Sequence, residues 1–172
     1  MTMQMTAVGK SIVKVSVTKA LTAAGDYAAG DVLSESATNG VGTAWTFSGM
    51  ARANGGKGQI LNAWVKCETT NLTPRLALYL FNATPTSELD DNAANTALLH
   101  ADLSKYVGVI YYQAMAEYGG DSEASPSPTT LFPIQYQCAV ADTALYGILI
   151  TLDAITGETA GDDITVTLEV LE

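Results

Sequence analysis

From Ser11 onward the chain is a succession of short runs in which every second side chain is apolar, which is the period of a half-buried strand and not of a helix. The clearest is the stretch Arg75-Leu-Ala-Leu-Tyr-Leu-Phe81. Its alternation puts Leu76, Leu78 and Leu80 in a core, and Arg75, Ala77, Tyr79 and Phe81 on a second surface that is only partly wet. This predicts an inner strand of a sandwich. Pro74 opens it, and Asn82, Thr84, Pro85 and Ser87 close it, because proline lacks a ladder donor and short polar side chains capture nearby backbone groups.

The same reading extends along the chain. Ser11 to Thr18 sets Val13, Val15 and Val17 against Lys14 and Ser16, an edge-type strand whose lysine discourages edge-to-edge pairing. A short strand is expected at Val32 to Glu35, after turns at Gly25-Asp26 and Gly30-Asp31. Trp45 and Phe47 alternate within Ala44 to Met50. The cluster Asn54-Gly-Gly-Lys-Gly58 makes a hairpin-like link into Gln59 to Glu68, where Leu61, Ala63, Val65 and Cys67 share one side. That cluster lacks the Gly-Lys-Ser/Thr ending and the following helix of a phosphate loop, so it reads as a turn.

Beyond the central strand, Ala93 to Leu103 fits a short helix or a connecting strand. Tyr106 to Tyr112 alternates Val107, Val109 and Tyr111 against Tyr106, Ile110 and Tyr112. Glu117 to Thr130 is expected to be a long exposed loop, and Thr130 to Val140 a strand interrupted by Pro133 and therefore at an edge or bulge. Leu145 to Leu152 is almost continuously apolar, as a strand covered on both faces should be. Ile164, Val166, Leu168 and Val170 form the apolar side of a last strand over Asp163 to Leu171.

These segments amount to roughly eight to ten strands with at most one short helix. No fixed-period repeat and no alternation of β with α elements is present, so a propeller, a solenoid and a parallel α/β fold are disfavoured. The expected class is all-β, an antiparallel jelly-roll-like β-sandwich with an N-terminal extended arm; a partly closed barrel is the alternative. Residues 1–10 are read as a flexible arm carrying Met1, Met3 and Met5, and residues 11–172 as one β-sandwich domain.

Charge narrows the chemistry. The chain carries 18 acids against 8 Lys and Arg, a net charge of -10, distributed unevenly. The first 25 residues contain Lys10, Lys14 and Lys19 and no acid, whereas Glu88 to the end holds fourteen carboxylates and only Lys105. Such a body repels nucleic acid and anionic membrane, so neither is expected as a partner. The N-terminus shows no basic segment followed by an apolar one, and no run approaches the roughly 20 apolar residues of a spanning helix. Synthesis and use in the cytosol are expected, unless the product leaves within a larger particle.

Candidate chemistry is sparse. Cys67 and Cys138 read as small buried hydrophobes, with a bond between them as the alternative. They and the lone His100 do not make a zinc motif. Asp90-Asp91-Asn92 is oxygen-rich but lacks the spacing of an EF-hand loop, so turn closure is favoured over calcium. His100 has Asp102 nearby but no nucleophile in a recognisable setting, and it is read as a hydrogen-bonded structural residue. No catalytic, cofactor-binding or metal residue is assigned and no enzyme is expected. Tyr111, Tyr112, Tyr118 and Trp45 are candidates for a sugar-stacking platform, with the β-core as their other explanation.

Two segments, Asp26-Tyr-Ala-Ala-Gly-Asp-Val-Leu-Ser34 and Pro74-Arg-Leu-Ala-Leu-Tyr-Leu-Phe-Asn-Ala-Thr-Pro-Thr86 followed by Asp90-Asp91-Asn92, resemble stretches of small virion structural proteins of tailed bacteriophages, of the head decoration or cement type. The resemblance implies a noncatalytic β-domain, assembled in the host cytoplasm and displayed on the capsid surface of the virion. There it would bind the major capsid protein, often as a homotrimer at symmetry axes. It carries over no functional residues. A basic arm on an acidic body fits such a clamp, and the expected contacts are Met3, Met5, Lys10, Lys14 and Lys19. The competing expectation is a carbohydrate- or host-surface-binding module that uses the tyrosine-rich strand and the loop Gly119 to Pro128.

Overall fold

A computed structural model describes residues 11–22, 25–156 and 161–172. The proposed arm, with Met3, Met5 and Lys10, lies outside the described residues. Eleven strands are present among the described residues: β1 (Ile12–Ala20), β2 (Val32–Leu33), β3 (Trp45–Phe47), β4 (Lys57–Cys67), β5 (Leu76–Phe81), β6 (Tyr106–Tyr111), β7 (Ala116–Tyr118), β8 (Asp121–Ala124), β9 (Ile134–Gln137), β10 (Leu145–Thr151) and β11 (Asp163–Leu171). The segment that fitted helix or strand forms neither a long helix nor a strand, and contains a single 3₁₀ turn at His100–Asp102.

The strands form two antiparallel sheets packed as a sandwich. The larger has the order β1-β11-β4-β8-β7, with β9 on the same side of β4 as β8 but at its other end. The smaller has the order β2-β10-β5-β6, with β3 beside β2 along β10. β5 is thus an inner strand, as its pattern predicts, and β1 is an edge strand paired with β11 alone among the described residues.

Between the sheets lies one continuous core. The smaller sheet supplies Leu76, Leu78 and Leu80 together with Leu145 and Leu149; the larger supplies Ile164, Val166, Leu168 and Val170 with Ala63, Val65 and Cys67. Burying each such leucine or valine contributes about 2 kcal/mol, so the alternation in the sequence is the main folding instruction. The outer face of the smaller sheet is covered as well. Ala77, Phe81, Ile148 and Ile150 pack with Leu89, Ala97 and Leu98 from the segment between β5 and β6, which closes over the sheet as a third layer. That is why β10 is apolar on both faces.

Two bulges shift the pattern. Leu61 is the extra residue between Ile60↔Val170 and Asn62↔Glu169, so Ile60 enters the core and Leu61, predicted to be there, is half-buried. Val107 is the extra residue between Phe81↔Tyr106 and Leu80↔Gly108. Tyr106 therefore stands on the outer face of the smaller sheet with Val109 and Tyr111, instead of sharing a face with Ile110 and Tyr112. A one-residue insertion exchanges faces because the strand period is two.

The expected long loop at 117–130 is also revised. Its first half is a hairpin, β7-β8, joined by Gly119-Gly120 and laid against the Cys67 end of β4. Gly119 has φ +74, which a two-residue hairpin turn requires and which glycine adopts without cost. The inward positions of β8 are Ser122 and Ala124, too small to give an apolar signal.

Candidate functional site

The acidic loops are the first place to look for chemistry, and their carboxylates turn out to be structural. Asp90 accepts from three consecutive backbone N–H groups, Gly40 at 2.7 Å, Val41 at 3.1 Å and Gly42 at 2.7 Å. Asp91 accepts from Ser34 N at 2.7 Å, Tyr27 Oη at 2.8 Å and Thr22 N at 3.2 Å. The pair fastens Thr22, Tyr27, Ser34 and the 40–42 loop to one dipeptide. Asp90 is held below the usual carboxylate range, first by the Gly40 and Gly42 N–H groups. A calcium ion would have to replace these donors, and no group of three or more metal-ligating side chains occurs among the described residues.

Asp102 is fully buried and accepts from Thr86 and Ser87 through both backbone N–H and hydroxyl groups, with Lys105 Nζ at 3.0 Å. Burial raises its pKa, but the Thr86 N–H, the Lys105 ammonium and the Ser87 donors together drive it far below the ordinary value. It is therefore unavailable to orient His100. His100 itself is exposed and makes no side-chain hydrogen bond among the described residues, which corrects its reading as a hydrogen-bonded structural residue. The geometry of a nucleophile, base and orienting acid is not assembled there.

Of the predicted contact residues, the two that are described occupy opposite faces of β1. Lys14 is exposed on the outer face, with Nζ 4.9 Å from the centre of the Trp64 ring. Lys19 is on the inner face and 8 % exposed. Its ammonium pairs with Glu35, donates to Thr43 O and to Ser34 Oγ at 3.2 Å, and lies 5.4 Å from the Trp45 ring. Burial pushes the Glu35 carboxyl up, yet bonds from Lys19, Thr43 and Ser34 outweigh it and hold the group at about 2. Lys19 thus closes the open margin between the sheets, and only Lys14 presents its charge outward.

The aromatic candidates divide similarly. Trp45 and Tyr112 are core residues, each 1 % exposed, with Trp45 Nε1 donating to Leu33 O at 2.9 Å. Neither can stack on a sugar. Tyr111 and Tyr118 are exposed, but Tyr118 stands on the β7-β8 hairpin of the other sheet. What the alternation of β6 obscured is a cluster on the outer face of the smaller sheet. Across one row Tyr146, Phe81 and Tyr106 are neighbours; across the next, Ile148, Tyr79 and Val109; across the third, Ile150, Ala77 and Tyr111. Tyr106 meets Phe81 edge to face, with ring centres 6.0 Å apart. Tyr79 and Tyr106 have raised pKa values, mainly from burial, with neighbouring tyrosines adding to it. Beside Tyr111 is a groove of about 370 Å³ that includes Thr130, Leu131 and Ile134.

Compared with known proteins, the chain finds no match among protein-family models, curated sequences or solved structures. Among the described residues, no helix is long and apolar enough to cross a membrane.

Proposed function

We propose that the chain is a noncatalytic virion structural protein of the head-decoration type, which binds the outside of a major capsid protein shell and stabilises it. The observation that carries this reading is the engagement of the loop carboxylates. Asp90, Asp91 and Asp102, with Asp142 and Asp153, each accept two or more hydrogen bonds that fix the connections of the sandwich. Acidic loops used this way make a rigid block, the property a shell-clamping domain needs. The resemblance of segments 26–34, 74–86 and 90–92 to phage decoration proteins supplies the particle.

The mechanism is additive. A stiff domain repeated around a symmetry axis, as a trimer in the reading taken from the resemblance, bridges neighbouring shell subunits through many weak contacts whose combined strength resists outward pressure. Lys14, exposed on β1, is the described residue that extends the positive charge of residues 1–10 toward the shell. Purified protein mixed with phage heads stripped of their outer proteins, followed by sedimentation, tests the reading. Saturation at a fixed copy number per head supports it, and absence of binding overturns it.

One observation favours a second reading, a carbohydrate- or host-surface-binding module. Tyr79, Tyr106 and Tyr111 share an outer face that is only partly covered, beside a groove whose lining includes the polar residues Thr129 and Gln135. Sugar rings stack on such faces. A glycan array with the wild type and Tyr111→Ala distinguishes the two: signal lost in the variant favours the module, and an empty array removes it.

A further inference from the structure

The edges of the two sheets are unequally protected. β7, at one end of the larger sheet, is only three residues long. β6 is met at Tyr111 by Thr130, whose hydroxyl accepts from Tyr111 N at 2.9 Å and donates to Tyr111 O at 3.0 Å. β1 is different. It runs for nine residues without proline, glycine or a break in register.

Its hydrogen-bonding phase is fixed by its ends. Ser11 and Glu172 exchange both backbone bonds, at 3.4 and 3.1 Å, and Leu21 N donates to Asp162 O at 3.0 Å. The odd-numbered residues of β1 therefore face β11, and Ile12, Lys14, Ser16, Thr18 and Ala20 direct their N–H and C=O groups to the open side. Among the described residues nothing pairs with those groups. The inner face is also incomplete at this margin. Val13, Val15 and Val17 are only half-buried, whereas their partners Val170, Leu168 and Val166 are fully buried.

We propose that two copies of the chain pair β1 with β1, antiparallel about a two-fold axis at Ser16, so that their six-stranded sheets become one. The strand is self-complementary in that register. Ser16 faces Ser16 of the second copy, Lys14 faces Thr18 and Ile12 faces Ala20, so all five open residues find partners. On the inner face Val15 meets Val17 in both directions, valine being the side chain best suited to cross-strand contact, and Val13 meets the aliphatic stem of Lys19. Centring the axis on Lys14 would oppose two like charges, and centring it on Val15 would leave Ala20 without a partner among the described residues. The lysine that discourages edge pairing in general here excludes the register centred on itself. Lys19 does not obstruct it, because its ammonium is turned inward onto Glu35.

This contact belongs to the free protein and does not depend on what the protein decorates. It is isologous, so it closes at two copies, and it is compatible with a separate contact around a three-fold axis. Sedimentation of the full chain should show a concentration-dependent dimer by about 100 µM. Ser16→Cys should form an intermolecular disulfide under mild oxidation, since facing hydrogen-bonded residues are about 5.5 Å apart between Cα atoms, within disulfide range. Lys14→Cys alone should not, while the double variant Lys14→Cys with Thr18→Cys should.

Two further variants keep the test independent of folding. Ser16→Pro removes an N–H that points away from β11, so the β1-β11 ladder survives, and the dimer should weaken by at least about tenfold. Thr18→Lys, at an exposed position, should weaken it by a similar factor by opposing Lys14 twice. A monomer at 100 µM, a cross-link at Lys14→Cys in preference to Ser16→Cys, or a dimer unaffected by both variants would overturn the proposal.

Discussion

Tyr27 Oη donates to Asp91 Oδ2 across 2.8 Å inside the protein, with Tyr27 1 % and Asp91 3 % exposed. The bond joins the turn before β2 to the middle of the long segment between β5 and β6. The same carboxylate receives Ser34 N on the other oxygen, at 2.7 Å. Asp91→Ala strands the Ser34 N–H in a dry site and should destabilise the fold by about 3 kcal/mol, whereas Tyr27→Phe removes one neutral donor and should cost about 1 kcal/mol. Urea denaturation of the two single variants and the double variant checks this. The double variant should lose less than the sum, because both substitutions break one bond.

Acid should loosen the molecule at the margin between β1 and β3. Glu35, ordinarily near 4.5, is held at about 2 in the folded chain. A carboxyl lowered by folding contributes stability that is fully present above about pH 4.5 and is lost as the pH falls through about 2. With allowance for its partial exposure, this is about 2 kcal/mol for the carboxylate. The burial of the Lys19 ammonium opposes it, so the pair as a whole contributes less. Thermal melts from pH 7 to pH 2 should show the midpoint falling below about pH 4.5, and Glu35→Gln should flatten part of that fall while lowering stability at pH 7.

Much of this architecture is legible as periodicity. Leu76, Leu78 and Leu80, or Ile164 through Val170, leave no doubt about which side is buried, since a strand offers only two faces. The losses come where one residue breaks the count. Leu61 and Val107 are ordinary strand formers that happen to be bulged, and nothing in their chemistry marks them; the bulge is decided by the partner strand. The β7-β8 hairpin was hidden for another reason, because its inward residues are Ser122 and Ala124; the one available signal was the pair Gly119-Gly120, which suits a two-residue turn. For the site, Asp90 and Asp91 carried a readable preference for turn closure, but not the identity of the segments they fasten, which are roughly 50 to 70 residues away in sequence. Lys19 shows the limit of composition. It counts as positive charge in the sequence, and the fold turns it inward.

The meeting of the sheets at Gly147 leaves no room for a side chain. A Cβ there would lie 2.8 Å from Leu78 Cδ1, 3.2 Å from Phe47 Cε2 and 3.3 Å from Trp45 Cβ. All three neighbours are core residues whose displacement disturbs the packing between layers. Gly147→Ala should therefore destabilise by about 2 kcal/mol, the range of an overpacked core. Gly120→Ala is the matching control, with nothing within 4 Å of the added carbon and no left-handed backbone to strain. It should leave the denaturation midpoint unchanged or slightly raised, because alanine restricts the unfolded chain.

The two cysteines are fixed at opposite ends of one long strand. Cys67 is the last residue of β4, and Cys138 follows β9, whose Gln137 pairs with Lys57 at the first residue of β4. Ten residues of strand separate those ends, about 33 Å at the usual rise, so an internal bond between them is impossible without unfolding. Both are free and buried, and burial pushes each thiol up to about 11. The thiolate is the reactive form, so the native protein at pH 8 should be nearly inert to an aromatic disulfide reagent over minutes, and both thiols should titrate at once in denaturant. Rapid reaction of one thiol in the native state would mean that its end of β4 opens. Oxidation followed by intact mass and non-reducing electrophoresis should recover monomer with both thiols present, which also makes the wild type a clean background for cysteines introduced on β1.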